Sequence, residues 1–124
     1  MKLLVCGSRG WRNEKTIATV LGATHEADPI TELIEGGAPG ADTLAARWAL
    51  AREIPVHEIL ADWATHGNRA GMLRNIAMLD LKPDLVIAFW DGRSTGTKHT
   101  MDEAEKREIR LLVIQDDKER RELL

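Results

Sequence analysis

Short apolar runs closed by glycine alternate along this chain with stretches whose apolar residues recur at helical spacing. Leu3-Leu4-Val5-Cys6, stopped by Gly7-Ser8, reads as a strand buried on both faces and central in its sheet. After Asn13, the residues Ile17, Val20 and Leu21 share a helical face, weakly prolonged by Thr24, until Asp28-Pro29 stops the pattern. Thr31 to Glu35 reads as a second strand ending at Gly36-Gly37. Ala41 to Glu53 then predicts an alanine-rich helix with Leu44, Trp48 and Ala51 on one side, which Pro55 keeps from continuing. Val56 to Leu60 alternates and predicts a half-exposed edge strand. A long loop, Ala61 to Gly71, precedes or overlaps a helix whose apolar face is Met72, Ile76 and Leu79. Leu85 to Phe89, opened by Pro83-Asp84 and left through Trp90-Asp91-Gly92, is the strongest strand and again central. A helix from about Thr97 to Glu108 and a fifth strand from Leu111 to Ile114 follow, before a charged tail.

Strict alternation of strand and helix implies right-handed crossovers. The expected fold is therefore a single Rossmann-like α/β domain over residues 1–115. Its sheet is five-stranded and mainly parallel with helices on both faces, and residues 116–124 form the charged tail. In such a sheet every strand-to-helix loop lies at one edge, and ligands bind there, where the strand order reverses.

Composition narrows the class. The 124 residues suit one core rather than two, and 44% apolar with 30% charged residues is the balance of a globular protein. No apolar run approaches the roughly 18 residues of a membrane span, and the start of the chain lacks a signal-peptide pattern, so the expected setting is cytoplasmic, away from membranes. The lone Cys6 agrees with a reducing compartment and reads as a buried structural thiol. A net charge of −3 offers nucleic acid no global attraction. Local charge differs: Arg9, Arg12, Arg69, Arg93 and Lys98 fall in the sheet-edge loops, a pattern that suits a small anion better than a long duplex. No His, Cys or carboxylate spacing marks a metal site, and no resident cofactor is expected. His66 and His99 are acid-base candidates with surface histidine as the default.

The predicted topology gathers four glycine-bearing loops on one rim: Gly7 to Trp11, Gly36 to Asp42, Ala61 to Gly71, and Trp90 to Thr97. Glycines admit close approach of backbone amides, and the helix N-termini that follow favour anions, so phosphate is the natural occupant. Any one such turn has a bland explanation as a tight connection; the coincidence of four is less easily dismissed. Gly36-Gly37-Ala38-Pro39-Gly40 lacks the Gly-Lys-Ser/Thr of a Walker loop and the usual dinucleotide fingerprint. Asp42 at a helix start either bonds a ribose hydroxyl or complements the helix dipole. Ser94, Thr95 and Thr97 around Gly96 can wrap an anion. Arg74 and Asn75, on the side of their helix away from Met72 and Ile76, offer planar charge-assisted bonds or a surface ion pair. Trp11, Trp63 and Trp90 either stack on a base or wall the pocket, whereas Trp48 lies mid-helix as core or subunit interface.

Six motifs in order, Gly7-Ser8-Arg9-Gly10-Trp11, Gly36 to Asp42, Asp62-Trp63, Gly67 to Gly71, Arg74 to Met78, and Ala88 to Gly92 with Gly96-Thr97, together resemble the YspA/YpsA-related branch of the SLOG superfamily. The resemblance spans nearly the whole chain and implies a Rossmann-like domain binding a nucleotide-type ligand. The same superfamily holds the LOG phosphoribohydrolases and the DNA-processing protein DprA. Against the LOG pattern, Arg74-Asn75-Ile76-Ala77-Met78 is similar to the Arg-Lys-x-x-Met stretch with its catalytic arginine. Gly96-Thr97-Lys98-His99 aligns with the Gly-Thr loop, but Thr100 stands where the catalytic glutamate would, and Arg93-Ser94 replace its double glycine. Asp102 and Glu103 are the acids on the same helix that could substitute.

The resulting expectation is a nucleotide-binding domain. Its ligand is bound by Gly7, Ser8, Arg9, Trp11, Gly36, Gly37, Gly40, Asp42, Arg74, Asn75, Trp90, Asp91, Gly92, Ser94, Gly96 and Thr97, the phosphate by the glycine-rich loops with Ser8, Arg9, Thr97 and Arg74, with Asp42 near the ribose and Trp90 or Trp11 beside the base. The alternatives are N-glycosidic cleavage of a nucleoside monophosphate, with Arg74 catalytic, and, ranked last, single-stranded nucleic-acid binding. Homodimerisation is expected from the resemblance and the Trp48 helix.

Overall fold

Hydrogen bonding arranges the five strands in the order β3-β2-β1-β4-β5 in a computed structural model that describes residues 1–115; the tail expected at 116–124 lies outside the described residues. The strands are β1 (Lys2–Gly7), β2 (Glu32–Glu35), β3 (Val56–Glu58), β4 (Leu85–Trp90) and β5 (Arg110–Gln115). Every neighbouring pair is parallel. The two uninterrupted apolar runs sit side by side in the middle, paired from Leu3 with Leu85 to Gly7 with Phe89. Side chains alternate across a strand, so each run feeds both faces. Leu3, Val5 and Phe89 pack under α1 (Glu14–Ala27) and α2 (Ala41–Ala51), with Ile17, Leu21, Ala45 and Trp48 from the helices. Leu4, Cys6, Val86 and Ala88 pack on the other face with Met78 and Leu79 of α4 (Ala70–Asp80) and Met101 and Ala104 of α5 (Thr95–Lys106).

Three local expectations change. The stretch expected as a loop, Ala61 to Gly71, folds into a one-turn helix α3 (Trp63–His66) and a 3-10 turn (Gly67–Arg69) that runs into α4. Asp62 caps it, its Oδ1 accepting from the Thr65 N–H at 3.1 Å; a single turn is too short to show a period in sequence. In α2, Ala51 is exposed, and the buried stripe is Ala41, Ala45, Trp48 and Ala49, because alanines set the close approach of this helix to β1. In α4, Met72 is 53% exposed while Asn75, Met78 and Leu79 are buried. Arg74 and Asn75 stand one turn above Met78 and Leu79 on the same stripe. They face inward, not away from the core side, because this end of the helix overhangs the sheet edge, where the inner side is a polar cleft. Trp48 proves to be core: it lies edge-on to His25 at 6.0 Å and 4.4 Å under the Arg52 guanidinium, which leaves little of the ring for a second subunit.

Candidate functional site

The chain leaves β1 toward β2 and leaves β4 toward β5, so the connections diverge on either side of the central pair and open a cleft at their carboxyl ends. The cleft measures about 760 Å³, within the usual size of a small-molecule site. Cys6 and Gly7 form its floor. Arg9, Gly10, Ala38 and Asp42 make one wall, and Trp63, Gly71, Met72, Arg74 and Asn75 another. Asp91 and the start of α5, from Ser94 to Thr97 with His99 and Thr100, close the third.

Arg74 is held by the chain itself. Its Nη1 donates to the Gly36 carbonyl at 2.7 Å and its Nε to Asn75 Oδ1 at 3.0 Å, which leaves the Nη2 hydrogens and one on Nη1 for the cleft. Gly36 permits this, since a Cβ there would stand 2.5 Å from Nη1. The buried Asn75 donates in turn to the Gly96 carbonyl at 3.2 Å and lies 3.2 Å from His99 Nδ1.

The loop after β2 is braced by acids. Asp42 Oδ2 accepts from the Gly36 and Ala38 N–H groups at 3.1 and 3.2 Å, and Glu35 Oε1 accepts from Gly37 at 2.7 Å. The amides that the sequence pattern offered to a ligand are thus spent on the chain's own carboxylates. Burial pushes Asp42 up to about 6 against those bonds and the pull of Arg74. Burial likewise pushes Glu35 up to about 7, with the Asp42 and Glu58 charges adding to the rise. Gly37 and Gly40 are not among the cleft-lining residues. Gly40 has φ +82, and a Cβ there would meet the Ser8 and Arg9 carbonyl oxygens at 2.4 and 2.5 Å, so its bareness lets the β1 and β2 loops touch. The Cys6 thiol is driven well up by burial, far from thiolate chemistry.

At the start of α5 the arrangement reverses. Asp91 Oδ1 accepts from the Arg93 and Ser94 N–H groups, both at 2.8 Å, which holds its carboxyl below the usual range and shapes the turn. Ser94 is the N-cap and makes no side-chain cap. Among the described residues no protein group accepts from the Thr95, Gly96 or Thr97 N–H, and the Thr97 hydroxyl, on a residue only 5% exposed, has no partner either.

Of the expected site residues, the cleft brings together Gly7, Arg9, Asp42, Arg74, Asn75, Asp91, Ser94, Gly96 and Thr97. Ser8 lies behind it, its Oγ accepting from the Asp91 N–H at 2.9 Å and so tying the β1 and β4 loops together. Gly36 is beneath Arg74, and Gly92 sits on an exposed turn. Trp11 and Trp90 are not in the cleft either. Trp11 is 3% exposed, packs on Phe89 at 5.5 Å and donates to Asn13 O; Trp90 is partly buried against the α5 side and donates to Ser94 O. The tryptophan that lines the cleft is Trp63, half exposed. Only its place in a rim segment marked it in sequence. Thr100 lines the cleft with its hydroxyl turned to the Gly96 carbonyl at 3.4 Å. Asp102 and Glu103 do not line it and pair with Lys98 and Lys106. Among the described residues no group of three or more His, Cys, Asp or Glu side chains is placed to hold a metal, and no helix is long and apolar enough to cross a membrane.

A parallel five-stranded sheet covered on both faces, with a polar cleft where its strand order reverses, is a Rossmann-like α/β domain. The chain belongs to the YspA, cpYpsA-related SLOG family, whose family model matches residues 1–66. The Gene 61 protein of Mycobacterium phage D29 is 39% identical over 111 residues, covering 85% of this chain and 89% of that protein. Among solved structures, DNA processing protein A (DprA) from Streptococcus pneumoniae superposes over 90% of the chain with a TM-score of 0.72 at 18% identity. The phosphoribosylglycinamide formyltransferase PurN from Coxiella burnetii superposes over 91% at 0.52 and 16%. These two likenesses establish the fold, and the chain spans only about half of each structure, 49% and 50%.

Proposed function

We propose that this domain binds a nucleotide or nucleotide derivative through its phosphate, seated between the start of α5 and Arg74. One observation carries the reading: the free amides of Thr95 to Thr97 and the unpartnered Thr97 hydroxyl line the same cleft as a guanidinium already fixed on Gly36 and Asn75. Helix amides and a pre-positioned arginine are complementary to a dianion. The loop after β2 contributes a wall, its amides being occupied by Asp42 and Glu35.

The test is calorimetric titration with nucleoside monophosphates, ribose 5-phosphate, NAD and ADP-ribose, with inorganic phosphate as control, on wild type and Arg74→Ala. Loss of one charge-assisted bond, about 1.5–3 kcal/mol, weakens binding roughly 10- to 150-fold. Equal affinities in the two proteins overturn the proposal. Affinities no better than that of inorganic phosphate remove the nucleotide reading and bring single-stranded oligonucleotides forward as ligands, recognisable by steep salt dependence.

A second reading, N-glycosidic cleavage of a nucleoside monophosphate, is favoured by Asp42, a buried carboxyl lining the cleft and poised near 6, and by Arg74. It lacks the glutamate at Thr100 and takes no help from Asp102 or Glu103. Release of free base that disappears in Asp42→Asn supports it; no release under saturating nucleotide refutes it.

A further inference from the structure

Trp63 is the one tryptophan whose placement neither the core nor a hydrogen bond explains. Trp11 and Trp48 are buried, and the indole N–H groups of Trp11 and Trp90 donate to backbone carbonyls. Trp63, by contrast, is 52% exposed on the short helix α3, lines the cleft, and makes no indole hydrogen bond among the described residues. Its neighbour on the cleft wall, Met72, is likewise exposed. What sets these two apart from the other exposed apolar side chains, Leu50, Leu60, Leu81 and Leu112, is that both line the cleft, where their open surface is available to a ligand.

Asp62 caps the α3 turn, and the Trp63 ring reaches toward Gly71, where an added Cβ would stand 3.4 Å from Cη2. Gly71 precedes Arg74 and Asn75 by three and four residues, so the indole lies over the face of α4 that carries them. One helical turn, about 5 Å, separates the two levels, on the order of the distance across a ribose. Asn68, on the 3-10 turn beside them, also lines the cleft and carries both a donor and an acceptor.

We infer that Trp63, with Met72 beside it, is the platform on which the ligand's heteroaromatic base stacks, with Asn68 at the base edge. This rests on the phosphate reading above and makes the ligand a base-bearing nucleotide rather than a bare sugar phosphate. A π-face and a polarisable thioether accept any base plane, so the platform contributes affinity for purine and pyrimidine alike.

The test compares wild type, Trp63→Ala and Trp63→Phe by calorimetry against adenosine 5′-monophosphate, uridine 5′-monophosphate and ribose 5-phosphate. Stacking on an aromatic is worth roughly 5- to 150-fold in affinity. The expected result is that wild type prefers the nucleotides by that factor, Trp63→Ala lowers them to the level of ribose 5-phosphate, and Trp63→Phe keeps most of the preference. Ribose 5-phosphate binds all three proteins alike, which also reports an intact site. Nucleotides no tighter than ribose 5-phosphate in wild type overturn the inference and leave the phosphate site standing. So does an unchanged preference in Trp63→Ala, or an equal loss for all three ligands. Failure of all three ligands to bind wild type overturns the phosphate reading and this inference with it.

Discussion

Replacing Glu35 by glutamine is expected to stabilise the protein above neutral pH and to leave it unchanged in mild acid. Glu35 ends β2 only 2% exposed, with Oε1 accepting from the Gly37 N–H and the Asp42 and Glu58 carboxylates near enough to resist its ionisation. Burial first, then those charges, raise it from 4.5 to about 7, against the pull of the Gly37 bond and Arg74. At about 1.4 kcal/mol per pH unit, ionising it in the folded protein costs on the order of 3 kcal/mol relative to the unfolded chain. The group is raised, so its contribution is complete below about pH 4.5. It declines as the pH climbs toward 7, because the unfolded chain gives up its proton first, and is gone above that. Glutamine keeps the acceptor for Gly37, cannot ionise, and turns an amide donor toward its acidic neighbours. Urea denaturation from pH 4.5 to 8.5 should show Glu35→Gln about 2–3 kcal/mol more stable at pH 8, roughly 10 °C in Tm, and within about 0.5 kcal/mol at pH 4.5. Asp42 leaves a smaller decline of the same sign in the variant. Parallel pH profiles for the two proteins would refute the assignment of this cost to Glu35.

Three further outcomes follow from single contacts. Gly40→Ala places a Cβ against the Ser8 and Arg9 carbonyls at a φ that only glycine holds easily, and should cost about 3 kcal/mol or more in denaturation. Thr97→Val removes a hydroxyl with no protein partner: stability should stay within about 0.5 kcal/mol while phosphate-ligand affinity drops roughly 2- to 10-fold by calorimetry. Phe89→Ala empties a fully buried site against Trp11 at the heart of the sheet and should cost about 3–5 kcal/mol, read from the urea midpoint.

The sheet was legible because its two central strands are uninterrupted apolar runs, and the rim because parallel topology sends every strand-to-helix loop to one edge. Arg9, Arg74, Asn75, Ser94 and Thr97 could be placed near one another on that ground alone. The direction of side chains was not legible. Arg74 and Asn75 continue the inward stripe of Met78 and Leu79, but past the sheet edge that stripe faces a cleft, so a polarity pattern assigns them outward. The glycines of the β2 loop look alike in sequence whether they admit a ligand or another part of the chain. Only the positions of Arg74, Asp42 and Glu35 reveal that they admit the chain. Trp11, Trp63 and Trp90 differ in where their N–H groups find an acceptor, a tertiary fact that no local pattern carries.

The connection from β3 to β4 is the one that carries the chain from one wing of the sheet to the other, and α4 is its body. From neighbouring positions on that helix, Arg74 grips the loop after β2 and Asn75 grips the start of α5. The crossover is therefore also a stitch that ties the β2 loop to the start of α5 along one wall of the cleft. Spreading those two elements apart means breaking these bonds. The ligand proposed above is then expected to meet walls already tied together, so that its binding rate in stopped flow rises linearly with concentration and shows no slow closing phase.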